Sequence, residues 1–493
     1  MGSDPAPEED PAPSSSEPSP SSLELSPERF RRIVEEATGR IVSHLEGLDA
    51  APAVDLEGAE ELARSLVEDL PSRGEPLEAL LDRLFGEIVP KSFNTAGPGY
   101  LAYIPGGGIL HAAVADLIAD AVNRYVGIWP AAPGLVRLEA NVVRWFCEMV
   151  GYGEGSGGFM TSGGSHANLS AITTARRDLL GDEFLRGTVY TSDQVHHSVT
   201  KAAVLAGLPA RSVRKVPSDE CFRIRTDVLE ERVRADRDEG LDPFLVVGSA
   251  GTVNTGAVDD LEALVDLCRR HGLWLHVDGA YGGFFVLTER GREAMRGIER
   301  ADSVTLDPHK GLFLPYGTGS LVVKDTGRLE RAHRTEAEYI EKERGPGVVD
   351  FADLSPELTR PFRGLRVWLP MKMHGADAFR TLLDEKIDLA RRAADALEAT
   401  EGVEVVARPQ LSLLAFRLAP DGVGGDALDA LNRRFLEAIN RRRRVFLSAT
   451  RLRGRYTLRI CVLSFRTHRE RVEEGIEDIR DAAREVLSES SSP

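Results

Sequence analysis

The sequence feature that most constrains the fold is the alternation of short β-rich runs with helical stretches between residues 157 and 323. Strands are predicted at 188–191, 213–216, 244–249, 273–277, 303–306 and 320–323. Helices are predicted between most of them, at 168–180, 198–206, 226–238 and 261–271. Strands that alternate with helices form βαβ units, whose parallel strands are covered on both faces. The pattern predicts an α/β fold with a mainly parallel central sheet, and ligands of such sheets bind beyond the C-terminal strand ends.

The regions on either side of this pattern have different compositions. Residues 1–25 are acidic and rich in Pro and Ser, which predicts a disordered tail. Apolar residues recur at helical spacing after the N-cap at Ser26-Pro27, and residues 26–95 are predicted to form an N-terminal helical layer. Its apolar faces pack either on the body of the protein or, as a dimerisation layer, on a second subunit. Residues 96–370 are assigned to the large α/β domain. Long amphipathic helices mixed with strands predict a small α+β domain at 371–493.

Charge and cysteine content exclude several classes of protein. The net charge of −17 disfavours a nucleic-acid or anionic-membrane partner. Neither a secretory signal nor an apolar run of roughly 20 residues is present, so no membrane association is expected. The scattered cysteines favour reduced thiols in a cytoplasmic protein over disulfides or a metal site; they are Cys147, Cys221, Cys268 and Cys461.

The predicted strand at 303–306 leads into His309 and Lys310. Burying an ammonium group is costly unless the group is paired or used chemically. A lysine that only packs its stem and extends its amine to water is the alternative interpretation. Lys310 is therefore a candidate reactive amine whose assignment depends on the other strand ends.

Three further segments place polar groups at strand ends. Residues 161–168, which include Gly164 and Ser165, precede a helix and offer backbone N–H groups to an anion, although an ordinary N-cap is the alternative. Asp278 closes an apolar strand and needs a cationic or hydrogen-bonding partner. His196 belongs to a histidine pair, a pattern more often found near a helix cap than in a site.

Together these segments supply an anion cradle, a carboxylate, a flat ring and an amine. Pyridoxal 5′-phosphate needs the same groups. A helix N-terminus holds its phosphate, a lysine bonds its aldehyde, and a carboxylate keeps its ring nitrogen protonated. The combination predicts a pyridoxal-phosphate site in the large domain, without a metal ion.

The residues also resemble a family. Five segments are similar to the group II pyridoxal-phosphate-dependent amino-acid decarboxylases, and the similarity covers nearly the whole chain after residue 26. The segments are 159–176, HHSVTKAA, GTVNTGAVDDL, LWLHVDGAYGG and ADSVTLDPHKG, with RPFRGLRVW further along. The resemblance implies the fold of type I pyridoxal-phosphate enzymes (aspartate-aminotransferase-like). It also implies a homodimer with active sites at the subunit interface and an amino acid as substrate.

The resemblance further implies roles for individual residues. Lys310 matches the Schiff-base lysine, and Asp278 matches the partner of the pyridine nitrogen. Ala280 and His196 match the residues on the two faces of the cofactor ring, His196 also assisting protonation. The remaining cofactor contacts implied are Gly164, Ser165, Thr252 and His309.

The expected reaction is decarboxylation of an L-amino acid to an amine and CO2, through aldimine and quinonoid chemistry on Lys310. The pocket matching the family's side-chain site is apolar, which favours an aromatic substrate; its residues are Tyr103, Ile104, Pro105 and Trp129. Phe351 is aligned with a catalytic tyrosine of the aromatic decarboxylases and lacks the hydroxyl. In related aldehyde synthases a phenylalanine accompanies oxidative deamination, so aldehyde formation is the alternative. Tyr339 or His196 could also supply the proton.

Overall fold

A seven-stranded sheet forms the core of residues 157–323 in the computed structural model, which describes residues 23–334 and 347–490. Its strands are β1 Gly157–Thr161, β2 Gly187–Ser192, β3 Val213–Val216, β4 Asp242–Ser249, β5 Trp274–Gly279, β6 Ser303–Leu306 and β7 Gly319–Val323. The spatial order is β1-β7-β6-β5-β4-β2-β3. Five neighbouring strands, from β6 to β3, run parallel, whereas β7 is antiparallel to both β6 and β1. The mainly parallel sheet is confirmed, and β1 is a strand that the sequence pattern missed.

Helices connect these strands and also occur before and after them along the chain. They are α1 Pro27–Glu46, α2 Ala59–Ser65, α3 Leu77–Arg83, α4 Leu110–Val122, α5 Pro133–Val150, α6 Gly164–Leu180, α7 His197–Leu205, α8 Thr226–Asp238, α9 Leu261–His271, α10 Glu289–Ala294, α11 Pro308–Gly311, α12 Thr326–His333, α13 Phe351–Leu354, α14 Arg363–Glu398, α15 Gly425–Arg441 and α16 Arg469–Ser490. Among the described residues, no helix combines the length and apolarity needed to cross a bilayer.

Helix α9 shows how local sequence sets the boundaries of these elements. The side chain of Asp260 accepts a hydrogen bond from the Ala263 N–H and so caps the first turn. Gly272 ends the helix in the left-handed conformation, with φ of 61°. One face of α9 is buried, with Leu264 and Val265 among its apolar residues. These signals are local, which is why the predicted range of 261–271 matches the helix.

A second, four-stranded antiparallel sheet lies in the C-terminal part of the chain. Its strands are β8 Val403–Ala407, β9 Leu413–Leu418, β10 Ser448–Leu452 and β11 Arg455–Cys461, in the order β10-β11-β9-β8. Helices α15 and α16 pack with it around a separate cluster of buried apolar side chains that includes Phe416 and Phe435. Helix α14 kinks at Gly375, where φ is 71°. The predicted mixture of helices and strands in this region is confirmed.

Contacts divide the chain into two units. One contains residues 23–48 and 57–92, and the other contains residues 49–56 and 93–490, as far as the structure describes them. In the first unit α1 and α2 have no buried residue, and Phe30, Ile41 and Val42 on α1 are 41–46% exposed. The predicted domain boundaries and the dimerisation layer at 26–95 stay predictions. The predicted disordered tail, except residues 23–25, lies outside the described residues, as does Tyr339.

Candidate active site

A cavity of about 510 Å³ opens at the C-terminal ends of the parallel strands. Ten of the residues expected in the site line it: Tyr103, Ile104, Gly164, Ser165, His196, Thr252, Asp278, Ala280, His309 and Lys310. They come from segments up to about 200 residues apart, and the sheet brings them together because each follows a different strand or loop. The cavity is the candidate active site.

Lys310 lies on the short helix α11, directly after β6. Its Nζ is 2.8 Å from Oδ2 of Asp307, a carboxylate that is 1% exposed. Burial alone would lower the pKa of the Lys310 amine, but the carboxylates of Asp307 and Asp278 more than offset burial, and the pKa is raised. The amine is therefore held as a paired ammonium group, which explains how the strand end tolerates it.

Asp278 lies near the end of β5 and is 9% exposed. Its Oδ2 accepts a hydrogen bond of 3.0 Å from Nδ2 of Asn168, and its Oδ1 accepts one of 3.2 Å from the backbone N–H of Ala280. Both contacts fix the carboxylate in one orientation at the cavity wall. A buried carboxylate held in this way is suited to pairing with a cationic ring nitrogen.

The imidazole of His196 reaches the cavity from the N-cap of α7. Its Nδ1 is 2.8 Å from Oγ of Ser198 and accepts the backbone N–H of the same residue. Burial lowers the pKa of His196 despite the nearby Asp278 carboxylate, so the ring is neutral near pH 7. The ring of His309 is likewise kept neutral, because burial lowers its pKa as well.

The loop between β1 and α6 forms a cradle that only small residues permit. Gly163 has φ of 148°, a conformation that L side chains rarely adopt. A Cβ placed on Gly164 would lie 3.0 Å from Oδ2 of Asp307 and 3.1 Å from Cβ of Ala280. The first N–H groups of a helix have no partner within it, and here those of α6 face a cavity with room for an anion.

Three residues expected in the site do not line the cavity: Pro105, Trp129 and Phe351. Pro105 is buried in its loop. The backbone N–H of Trp129 donates to Oδ1 of Asp350, and the Arg137 guanidinium lies over its ring.

Phe351, the residue aligned with a catalytic tyrosine, begins α13 and is 1% exposed. The guanidinium of Arg360 lies 4.7 Å from its ring centroid. Arg360 in turn pairs with Glu139 at 2.5 Å, and both side chains are fully buried. The ring of Phe351 thus lies in the core of this chain, outside the lining of the described cavity.

Several cavity residues were missed by the sequence analysis. Asn168 and Ser198 stand between the predicted groups and hydrogen-bond to them. Asp307 supplies the carboxylate next to Lys310, and its Oδ1 is buried without a hydrogen-bond partner. The signal for Asp307 was its position at the end of an apolar strand, the same signal that identified Asp278. No sequence signal linked Asn168 to Asp278, which lies 110 residues away.

The residues present fit pyridoxal phosphate. The loop at Gly163 and Gly164 has no room for a Cβ at Gly164, which would lie 3.0 Å from the Asp307 Oδ2 that pairs with Lys310. An amine, an oriented carboxylate and a neutral imidazole line the same cavity. The amine suits the aldehyde of the cofactor, the carboxylate suits its ring nitrogen, and the imidazole suits the face of its flat ring.

Comparison with known proteins agrees with this fit. The sequence model of the pyridoxal-dependent decarboxylase conserved domain matches residues 60–419. The aromatic-L-amino-acid decarboxylase of Bacillus atrophaeus is 34% identical over 462 residues, which cover 93% of this chain and 96% of that protein. The L-2,4-diaminobutyrate decarboxylase of Acinetobacter baumannii is 29% identical and covers 81% of this chain and 83% of its own length. The chain belongs to the pyridoxal-dependent decarboxylase family.

Solved structures support the same assignment. The crystal structure of Oryza sativa TDC with PLP and tryptamine superposes with a TM-score of 0.89 at 26% identity, covering 94% of this chain and 99% of that one. Mouse CSAD superposes with a TM-score of 0.84 at 27% identity, covering 93% and 99%. The expected fold class is confirmed, and the protein is a pyridoxal-phosphate-dependent enzyme of the carboxy-lyase class.

Proposed function

We propose that this enzyme decarboxylates an aromatic L-amino acid to the amine and CO2, with Lys310 as the residue that bonds the cofactor. The observation that carries the proposal is the meeting of the Lys310 amine, the Asp278 carboxylate and the His196 imidazole in one cavity. When bound, pyridoxal phosphate supplies an electron sink for the electron pair that remains after CO2 departs. The roles below are those of the protein's own residues.

The phosphate of the cofactor is assigned to the N-terminus of α6. The backbone N–H groups of Gly164 and Ser165 bind it, and the helix dipole favours its negative charge. Thr252 and His309 complete the polar contacts along the cavity wall. Ala280 supports one face of the ring, where a small side chain leaves room for it.

Asp278 would bind the pyridine nitrogen of the cofactor and hold a proton there. A carboxylate fixed by Asn168 and by the Ala280 N–H cannot turn away, so its charge stays directed at one point. Low dielectric in the cavity strengthens this interaction.

The other face of the ring is assigned to His196. Its Nδ1 accepts the Ser198 N–H, so the proton of the neutral ring lies on Nε2. A neutral imidazole can hold that proton and deliver it to the substrate carbon after CO2 leaves. His196 is therefore our candidate for assisting protonation.

Tyr103 and Ile104 form the described part of the substrate pocket. Tyr103 has φ of 52°, uncommon for a residue with a side chain, and such strain is often found at binding sites. Its ring is 54% exposed, so an aromatic substrate can still cover it. The name of the Bacillus atrophaeus relative supports an aromatic substrate, whereas that of the Acinetobacter relative requires that diaminobutyrate be tested as well.

We also propose a homodimer. Helix α4 exposes apolar side chains at helical spacing, namely Leu110, Val114, Leu117, Ile118 and Val122, each 42–52% exposed. Such a face on a described helix is suited to a second subunit. Light scattering coupled to size-exclusion chromatography tests the dimer.

Aldehyde formation, the second hypothesis, required Phe351 to face the substrate. The burial of Phe351 beneath Arg360 supports the amine over the aldehyde, because a core side chain does not meet the substrate within its own chain. We therefore propose the amine as the product. A Phe351→Tyr variant is expected to leave the product ratio unchanged.

The experiment is a panel of L-amino acids incubated with the holoenzyme and scored for CO2, amine and hydrogen peroxide together. Equal amounts of amine and CO2 from tryptophan, tyrosine or phenylalanine, without peroxide, support the proposal. Aldehyde with peroxide and ammonia would establish the second hypothesis instead. A Lys310→Met variant is the control, and any turnover by it would remove Lys310 from its role.

A further inference from the structure

Behind Asp278 lies a continuous chain of buried hydrogen bonds that the cofactor contacts do not use. Trp274 Nε1 is 2.8 Å from Ser303 Oγ, and that oxygen is 2.8 Å from Nδ1 of His276. Nε2 of His276 is 3.0 Å from Oδ1 of Asn168, whose Nδ2 is 3.0 Å from Oδ2 of Asp278. The chain connects one end of β5 to the cavity wall at the other.

Strand geometry explains why these side chains meet. His276 and Asp278 are two residues apart on β5 and so face the same side of the sheet. In the register with β6, they lie opposite Ser303 and Thr305. Helix α6 packs on these strands and brings Asn168 to them.

The chemistry of the groups fixes the direction of every bond. The carboxylate of Asp278 only accepts, so the amide nitrogen of Asn168 must face it and the amide oxygen must face His276. Nε2 of His276 therefore carries the proton, and its Nδ1 accepts from the Ser303 hydroxyl. Trp274 N–H can only donate, so Ser303 accepts from it. All four bonds point toward Asp278, and bonds aligned in this way polarise one another.

Burial keeps this arrangement in one protonation state. His276 is 0% and Asn168 is 1% exposed. Burial lowers the pKa of His276 to about 4, even with Asp278 nearby, so the ring is neutral and carries one N–H near pH 7.

A branch of the same network reaches His196. Nδ2 of Asn168 also donates to Oγ of Ser198 at 3.0 Å, and that oxygen is 2.8 Å from Nδ1 of His196. The amide of Asn168 therefore contacts the Asp278 carboxylate directly and the His196 imidazole through Ser198. Thr305 Oγ1 donates to the amide oxygen at 2.8 Å and helps to hold it.

We propose that His276 is a positioning residue: by donating from Nε2 to Asn168, it fixes the amide that orients both Asp278 and His196. The inference rests on the proposed roles of Asp278 and His196. It extends them to residues outside the cofactor contacts, because His276 does not line the cavity. Loss of the Nε2 donor leaves the amide oxygen of Asn168 with Thr305 alone.

Two variants of similar polarity separate this role from general packing. His276→Gln places an amide N–H near the former Nε2 and keeps the donor, whereas His276→Asn is too short to reach Asn168. We expect His276→Asn to weaken binding of pyridoxal phosphate about tenfold or more and to change the visible absorbance of the bound cofactor, and His276→Gln to stay near wild type. Absorbance titration of the cofactor measures both quantities.

An Asn432→Leu variant is the control for removing a buried polar side chain. Asn432 is 0% exposed and makes three hydrogen bonds to the backbone of Leu418 and Leu428, outside the cavity. We expect it to lower the melting temperature without changing the absorbance of the bound cofactor. A double variant, Asn168→Ala with His276→Asn, should bind the cofactor no more weakly than Asn168→Ala alone, because His276 acts through Asn168.

Equal affinity and absorbance in His276→Asn and His276→Gln, whether both resemble wild type or both are impaired, would overturn the inference. The inference would also be overturned if the losses of cofactor affinity caused by Asn168→Ala and His276→Asn were additive in the double variant. Borohydride reduction of the wild-type holoenzyme separates this failure from failure of the proposed function. If reduction attaches the cofactor to Lys310 while the two variants behave alike, only the role of His276 is wrong.

Discussion

At the scale of single residues, Asp307 has a clear chemical consequence. Its carboxylate is 2.8 Å from the Lys310 amine and contributes to the raised pKa of that amine. His196, His309, Asp278 and Tyr316 are also titratable groups near the amine in the described cavity. An amine must lose its proton before it can bond an aldehyde, so the proposed role of Lys310 leads us to expect that Asp307 influences the pH at which the cofactor binds.

We expect Asp307→Asn to move the pH dependence of cofactor attachment downward, because the ammonium form of Lys310 loses its closest anion and the pKa of the amine falls. The rate at which visible absorbance grows after mixing apoprotein with pyridoxal phosphate, followed from about pH 6 to pH 10, measures the shift. Asp259→Asn removes another buried carboxylate, outside the cavity, and is the control. A midpoint that stays in place or moves upward would show that Asp307 does not govern the amine.

Residue identities alone revealed only part of the site. Lys310 and Asp278 were predictable because each is a charged residue that follows or closes an apolar strand. Asn168 was not, because an asparagine within a helix has no distinguishing pattern and its partner is distant in sequence. His276 carried a usable signal, since a polar residue two positions before Asp278 must share its face of the strand. For Phe351, counting positions in a loop gave no information about which way its side chain points.

At the scale of elements, the proposed phosphate site depends on the first turn of α6. An anion can bind at the N-terminus of α6 only if the glycines there leave space for it. A Cβ on Gly164 would be in tight contact with Asp307 and Ala280. Gly134 in the first turn of α5 offers a matched comparison, because a Cβ there would meet nothing within 4 Å.

We expect Gly164→Ala to weaken cofactor binding about tenfold or more, since the added methyl group occupies the cradle, while Gly134→Ala has no effect. Equilibrium titration with pyridoxal phosphate measures both, and melting temperatures report any change in stability. Equal affinity in the two variants would show that the phosphate binds elsewhere.

The predicted boundaries of helices and strands match the structure where local signals, such as caps and apolar spacing, determine them. Helices α8 and α9 have their predicted ranges, and β3 and β6 do as well. Strands β1 and β10 were missed because Gly157 and Gly158, or Thr450 and Arg451, interrupt the apolar pattern. Strand β1 pairs with β7, far along the chain, which a local pattern does not show, whereas β10 pairs in regular register with β11 directly after the turn at Arg453 and Gly454.

At the scale of the whole molecule, buried neutral histidines make stability depend on pH. His333 is held by Thr174 Oγ1 at 2.9 Å, and burial lowers its pKa from 6.5 to about 4. Between these two values the unfolded chain binds the proton and the folded chain does not. The contribution of His333 is therefore present above about pH 6.5 and is lost as the pH falls toward 4.

We expect the free energy of unfolding of wild type to fall by about 2 kcal/mol more than that of His333→Gln when the pH is lowered from about 7 to about 5. Urea unfolding of the apoprotein at the two pH values measures the difference. Comparing the two proteins cancels other groups, including Asp259, whose pKa is raised by burial to about 6 and which acts in the opposite direction. Identical losses in both proteins would contradict the assignment to His333.

The central claim is that Lys310 bonds pyridoxal phosphate within the cavity formed at the strand ends. Reduction of the holoenzyme with borohydride, followed by peptide mass spectrometry, tests it most directly. We expect one pyridoxyl group on the peptide that contains Lys310, and none in the Lys310→Met variant. A pyridoxyl group on another lysine, or none in wild type, would contradict it.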